Sequence, residues 1–294
     1  MAVRKDTIFE RFLAPVFRLI LDEEALQRFY DSIDWEQEGA RFCQPNLITP
    51  DYYSSQNFHG IVGGYLNPRA AVSYDAITQY VLPPHETLVR QGLINAVGGQ
   101  PRRILDLGCG TGSTTLMLKQ AFPQADAIGL DLSPYMLVVA DLKAKKAGLT
   151  VEWRQGNAEQ TGFPDASFDL VTASLLFHET PLPVSRAILR ESFRLLTVGG
   201  QVLILDGNQK TLRFAEWLTE IFEEPYIKSY ATGSVEAWMG AAGFGAVRTE
   251  ELWWLHQVTR GVKPIPGEES ESVPAHQWMP ARAIDEGEGF PAPA

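Results

Sequence analysis

Cysteine is nearly missing from this chain: among 294 residues there are two, Cys43 and Cys109. Two thiols make no disulfide framework and no metal-ligand cluster, so the composition predicts a protein of a reducing compartment without a bound metal. Long apolar runs are missing as well. Arg4 and Lys5 precede an apolar stretch, but Arg11, Pro15 and Arg18 interrupt it, a pattern that predicts neither a secretory signal nor a spanning helix. Basic residues are in deficit, 25 against 36 acidic, for a formal net charge of -11. Such a surface repels a phosphate backbone and argues against nucleic acid as a partner. No internal repeat is present. Together these absences predict a cytoplasmic protein with no integral membrane segment, and they leave peripheral membrane contact and oligomeric state open.

What is present is an apolar fraction of 45%, enough for a sizeable core in a chain of this length. Its organising feature is the stretch 104–112, Ile-Leu-Asp-Leu-Gly-Cys-Gly-Thr-Gly. An apolar strand, residues 103–107, runs into three alternating glycines, and a helical pattern opens at Ser113. A glycine turn at a helix N-terminus is a ligand cradle, because the backbone can approach closely and N–H groups point outward. A dinucleotide fingerprint needs Gly-x-Gly-x-x-Gly. Here Gly108, Gly110 and Gly112 give Gly-x-Gly-x-Gly, with Ser113 in the place of the third glycine. Asp106, two residues ahead of the first glycine, suits a positively charged ligand better than a pyrophosphate. Downstream, stretches 127–131, 151–155, 168–174 and 201–206 read as strands between helical patterns, and 246–252 with 254–262 as a closing strand pair. Asp131 closes the second strand, where a carboxylate can accept both hydroxyls of a ribose.

The motif Asp-x-Gly-x-Gly-x-Gly, followed by an acid at the end of the next strand, resembles that of the class I S-adenosylmethionine (SAM)-dependent methyltransferases. The resemblance covers roughly residues 74–263. Tyr74-Asp75, some thirty residues ahead of Asp106, is similar to a pair found in small-molecule members such as the ubiquinone/menaquinone C-methyltransferases. The resemblance implies SAM as cofactor and an α/β, Rossmann-like, doubly wound seven-stranded sheet with an antiparallel end strand, plus an N-terminal helical cap. It implies that Asp106, Gly108, Cys109, Gly110 and Gly112 hold the amino-acid end of SAM, that Tyr74 closes over it, and that Asp131 with Leu132 takes the ribose. Asn157 and Ala158 take the adenine. The family commonly has an acid at the first of these two positions, and the asparagine oxygen can still accept from an adenine amino group. Ser174, at the end of the fourth strand, completes the expected cofactor set.

Beyond that strand come His178 and Glu179, at the sheet edge where ligands react in parallel α/β folds. They are the candidate bases; adjacent residues of an extended segment point oppositely, so one of the two is expected to face the substrate. Residues 7–33 read as helical with a break near Pro15. Residues 35–80 read as irregular and aromatic-rich, either a cap core or a wall for a flat apolar substrate. The expected organisation is a cap over 1–95, a SAM-binding core over 96–263 with a lid insertion at 208–234, and a disordered tail over 264–294 in which Trp278-Met279 reads as solvent-exposed tail, with a docking anchor as the alternative. The expected function is methyl transfer to oxygen or carbon of an apolar, cyclic small molecule of quinol or phenol type. A protein methyltransferase and a SAM-binding partner without turnover are the alternatives.

Overall fold

The computed structural model describes residues 21–58, 61, 63–215 and 225–266. The first part of the helix expected over 7–33, residues 216–224 of the insertion, and most of the tail with Trp278 and Met279 lie outside the described residues. The chain falls into two compact units, 1–264 and 265–294, and all the described helices and strands lie in the first.

In chain order these are α1 (Glu23–Asp31), α2 (Trp35–Phe42), α3 (Asp51–Ser54), α4 (Pro68–Val81), α5 (Glu86–Ala96), β1 (Arg103–Leu107), α6 (Ser113–Ala121), β2 (Asp126–Asp131), α7 (Pro134–Ala147), β3 (Glu152–Gln155) and β4 (Phe168–Ser174). After a 3₁₀ turn at Phe177–Glu179 come α8 (Leu182–Leu195), β5 (Leu196–Gly207), α9 (Gln209–Phe214), α10 (Ile227–Thr232), α11 (Val235–Ala241), β6 (Gly245–Leu252) and β7 (His256–Val262). The helix starts are written locally. Asn67 and Ser133 cap α4 and α7 through their side chains, each with proline at the first helical position. At the other end of α7, Gly148 takes the left-handed conformation that stops it.

The seven strands form one sheet in the order β3-β2-β1-β4-β5-β7-β6. The pairs β1–β2, β1–β4, β2–β3 and β4–β5 are parallel, and β7 runs antiparallel between β5 and β6. The chain is thus a doubly wound α/β fold with an antiparallel end. A parallel sheet must be covered on both faces. One face is closed by the cluster holding Leu105, Leu107, Val171 and Ile204 with residues of α8 and α11, the other by the cluster holding Ile104, Leu170 and Leu203 with α5 and α6. Among the described residues no helix is long and apolar enough to cross a membrane.

The structure departs from the sequence reading at residues 35–42, expected to be irregular. Asp34 accepts from the Gln37 N–H at 3.0 Å, Glu36 and Glu38 occupy the first turn, and the Trp35 indole donates to the Tyr30 carbonyl at 2.9 Å. A charged cap and a half-buried, hydrogen-bonded ring fix a helix that aromatic composition alone hides. Of the helix expected over 212–222, residues 212–214 belong to α9, which spans Gln209–Phe214 behind the cap Asn208, and residues 216–222 lie outside the described residues.

Candidate cofactor and acceptor cleft

The carboxyl ends of β1, β2, β3 and β4 open on one cleft, partly open to solvent. Gly108 and Gly110 follow β1, Asp131 and Leu132 close β2, Gly156, Asn157 and Ala158 follow β3, and Ser174 ends β4; all of them line it. Four tyrosines, Tyr52, Tyr53, Tyr65 and Tyr74, line it too, together with Glu179. Of the residues picked from sequence, Tyr74, Gly108, Gly110, Asp131, Leu132, Asn157, Ala158, Ser174 and Glu179 therefore meet around one space. Asp106, Cys109, Gly112 and His178 are not among the lining residues.

Those four have other partners. Asp106 is buried, with Oδ1 accepting from Thr172 Oγ1 at 2.7 Å and Oδ2 from Thr115 Oγ1 at 2.6 Å. It joins β1 to β4 and to the first turn of α6, and burial pushes its pKa up against the lowering effect of the two hydroxyls. Gly112 has φ +78°, and a Cβ there would stand 2.5 Å from the Trp153 ring and 3.0 Å from Ala140 Cβ. Its missing side chain therefore lets α6, α7 and β3 pack around the indole. Cys109 turns the same way, against Gly129 of β2, where a Cβ would lie 2.9 Å from its sulfur.

The loop N–H groups decide what the turn can hold. Cys109 N donates to the Leu130 carbonyl, Gly112 N to the Cys109 carbonyl, and Gly110 N to Asp131 Oδ2 at 2.8 Å. Three donors are spent within the protein, so this is no anion nest for a pyrophosphate. The Asp131 carboxylate also accepts the Ser133 N–H at 2.8 Å. Burial raises its pKa to about 6 in spite of these two bonds. Hydroxyl donors arriving from the cleft would stabilise its charged form. Ser174 Oγ is buried, lines the cleft and has no hydrogen-bond partner among the described residues. A buried hydroxyl without a partner is costly and fits a polar ligand atom. The donor and acceptor set thus fits the cofactor with its hydroxyls and charged end.

The loop is tied to α4. Asp75 on α4 accepts from the Thr111 hydroxyl, and Lys143 of α7 bridges Asp75 Oδ2 at 2.6 Å and Ser113 Oγ at 2.9 Å. Tyr74, the neighbour of Asp75, is thereby held over Gly110. Behind it runs an aromatic series: Tyr53 to Phe58 at 5.6 Å, Phe58 stacked on Tyr65 at 5.6 Å, and Tyr65 edge-on to Tyr74 at 5.8 Å. Burial raises the pKa of Tyr52, Tyr53 and Tyr74, with Asp131 and Glu179 adding to the shift at Tyr53, so these phenols stay neutral. Tyr65 donates to Glu179 Oε1 at 2.8 Å and Tyr52 to Glu159 Oε1 at 3.2 Å.

The turn after β4 departs from the extended segment expected. Leu175 takes φ +59° and the chain bends into the 3₁₀ turn. Successive side chains of such a turn lie about a third of a revolution apart, which sets Glu179 on the cleft and His178 off it. His178 Nδ1 lies 2.6 Å from Asp206 Oδ1, and its Nε2 lies 3.9 Å from Glu179 Oε1. Tyr52, Tyr53, Tyr65 and Asp206 were not singled out as site residues from sequence. Asp206 carries the signal that identified Asp131, an apolar strand closed by a carboxylate; the tyrosines carry none beyond composition.

Residues 104–200 match the methyltransferase domain family. Over this stretch the chain is similar to methyltransferase domains, which use SAM as cofactor. Among individual relatives, a demethylmenaquinone methyltransferase of Thermus thermophilus is 38% identical over 117 residues, covering 40% of this chain and 52% of the relative. Another, of Lactococcus lactis, is 34% identical over 167 residues, covering 56% and 62%. The chain thus spans about half to three fifths of the length of these relatives. Two solved structures share the fold: a SAM-dependent methyltransferase from Aquifex aeolicus (TM-score 0.53, 20% identity, 67% of this chain and 98% of that one) and a Haemonchus contortus phosphoethanolamine N-methyltransferase in complex with SAM (TM-score 0.54, 15% identity, 76% and 62%).

Proposed function

We propose that the protein transfers a methyl group from SAM to carbon or oxygen of an apolar cyclic acceptor of quinol type. The observation that carries this reading is the set of four tyrosines that line the cleft at the strand ends, with Glu179 lining it beside them. A flat ring suits such a wall, since aromatic faces bury large areas and orient by edge and stack. The names of the relatives, demethylmenaquinone methyltransferases, point the same way. In this reading the segment up to residue 95 is the acceptor-side cap over a cofactor-binding core of residues 96–263, and residues 208–234 belong to the lid.

Asp131 and Leu132 would hold the ribose, Asn157 and Ala158 the adenine, and the Gly108–Gly110 turn with Ser174 and Tyr74 the amino-acid end. Asn157 Oδ1 accepts from the Glu159 N–H at 2.9 Å, so its second lone pair is the one offered to an adenine. Asp106, Cys109 and Gly112 act beneath the turn, by holding its shape. When bound, SAM supplies an electrophilic methyl group: its carbon–sulfur bond breaks as the bond to the acceptor forms, and the acceptor gives up a proton. The chain's part is to align the acceptor, exclude water and receive that proton; alignment alone can be worth effective molarities of about 10⁵ to 10⁸ M. Glu179, on the cleft, is the first group placed to take the proton, with His178 behind it.

The test uses the purified protein, labelled SAM and a short-chain demethylmenaquinol. Label moving into the quinol is the expected result. Binding of SAM with no transfer to this quinol or to simple phenols would overturn the acceptor class, and label appearing in added protein would favour the macromolecular alternative.

A further inference from the structure

We propose that Asp206 is a positioning residue: it fixes His178 as the tautomer protonated on Nδ1 and turns Nε2 toward Glu179, giving the proton released by the acceptor a second station. This rests on the reading of the cleft as an acceptor site.

Asp206, one residue before the end of β5, is 0% exposed. Its Oδ2 accepts the Phe177 N–H at 2.8 Å and the His178 N–H at 3.3 Å, and its Oδ1 accepts the Gly207 N–H at 2.7 Å. One carboxylate thereby holds the start of the 3₁₀ turn against the end of the neighbouring strand. The same Oδ1 lies 2.6 Å from His178 Nδ1. An oxygen that already accepts one N–H is an acceptor for the ring as well, which puts the ring proton on Nδ1 and leaves the lone pair on Nε2. That lone pair points to the Glu179 side, 3.9 Å from the oxygen that receives the Tyr65 hydroxyl. Among the described residues, the groups that face the ring include Glu179 on its own turn, Asp206 on β5, Tyr230 of α10 with ring centroids 6.4 Å apart, and His256 of β7, whose pKa burial pushes down to about 4. Tyr230 is engaged with the Gly207 carbonyl at 2.8 Å.

In the resulting sequence the acceptor's proton passes to the Glu179 carboxylate and from there to Nε2, making His178 a cation whose Nδ1–H stays on Asp206. No atom is gained or lost, and the methyl group has meanwhile replaced the proton on the acceptor. Glu179 is restored as the acceptor it was.

The experiment reads ring nitrogen shifts by ¹⁵N NMR on the whole protein, with His178→Gln identifying the resonance among five histidines. The expected wild-type ring carries its proton on Nδ1, and Asp206→Asn moves it to Nε2. With SAM and the short-chain demethylmenaquinol, Asp206→Asn is expected to lower kcat at least tenfold while the Kd for SAM stays within twofold, and to have no further effect in the His178→Gln background. A wild-type ring protonated on Nε2 overturns the proposal. So does an Asp206→Asn loss that persists undiminished in the His178→Gln background, since Asp206 would then act only through the backbone of the turn. Should the wild type methylate no quinol, the acceptor reading fails and the ring spectrum, which needs no substrate, decides the tautomer by itself.

Discussion

On the strand side of the cleft the ligand-facing groups are set by backbone: Gly110 and Ser133 N–H groups orient Asp131, and the ends of four parallel strands fix where Asn157 and Ser174 stand. On the cap side they are set by packing, with Tyr53, Tyr65 and Tyr74 arranged around Phe58, which is 0% exposed. Backbone placement tolerates little change and serves one ligand. A packed aromatic wall can be repacked at modest cost while its scaffold stays whole, so in the proposed reading it is where acceptor choice resides. The two sides meet at Asp75, which binds the glycine loop from a cap helix.

Damage to the strand side should be the most severe. Gly112→Val places a branched side chain at φ +78° and into the Trp153 ring, 2.5 Å from the first added carbon. Left-handed strain of about 1–2 kcal/mol and overpacking of about 1–3 kcal/mol add to a destabilisation of roughly 2–5 kcal/mol, enough to threaten a marginally stable domain. Thermal melting and SAM binding measured together check this. A variant with wild-type Tm and lost binding would instead mean that Gly112 touches the ligand.

The second expectation separates the sides by pH. Asp131 has its pKa raised to about 6, so in the free protein its charged form costs stability: the contribution favours the fold below the ordinary carboxylate range near 3.8 and is lost as pH rises through 6. Ribose hydroxyls would bind the charged form, so the Kd for SAM should rise about tenfold for each pH unit below 6. Calorimetry between pH 5 and 8 reads it, and an affinity flat across that range removes Asp131 from the binding set. A ribose bond to this carboxylate is the only part of the cradle that titrates in this way among the groups assigned to it.

How much of this was legible in the chain follows the same division. A glycine turn, an acid closing a strand and a Pro-capped helix are local statements, so β1, β2, α7 and the cradle can be read from residues 103–147 alone. The burial of Asp106 under the loop is not local, because Thr172 that holds it lies 66 positions away. The split between Glu179 and His178 depended on a turn conformation imposed by Asp206, 28 positions further on. Four tyrosines drawn from separate segments form a wall only once α4 docks on α7, and nothing in the spacing of Tyr52, Tyr65 and Tyr74 announces it.

The smallest expected effect probes that wall. Tyr65→Phe removes one hydroxyl and keeps the ring that stacks on Phe58 at 5.6 Å and meets Tyr74 edge-on. The lost partner is Glu179 Oε1 at 2.8 Å. A single hydrogen bond of this kind is worth about 1 kcal/mol, so turnover of the quinol should fall about fivefold. The strand side does not touch this hydroxyl, and the Kd for SAM should stay at its wild-type value. Steady-state kinetics with calorimetry of cofactor binding tells the two apart: a fall in kcat alone keeps Tyr65 on the acceptor side through Glu179, whereas an equal loss of SAM affinity would make the cap part of the cofactor site and erase the distinction between the two walls.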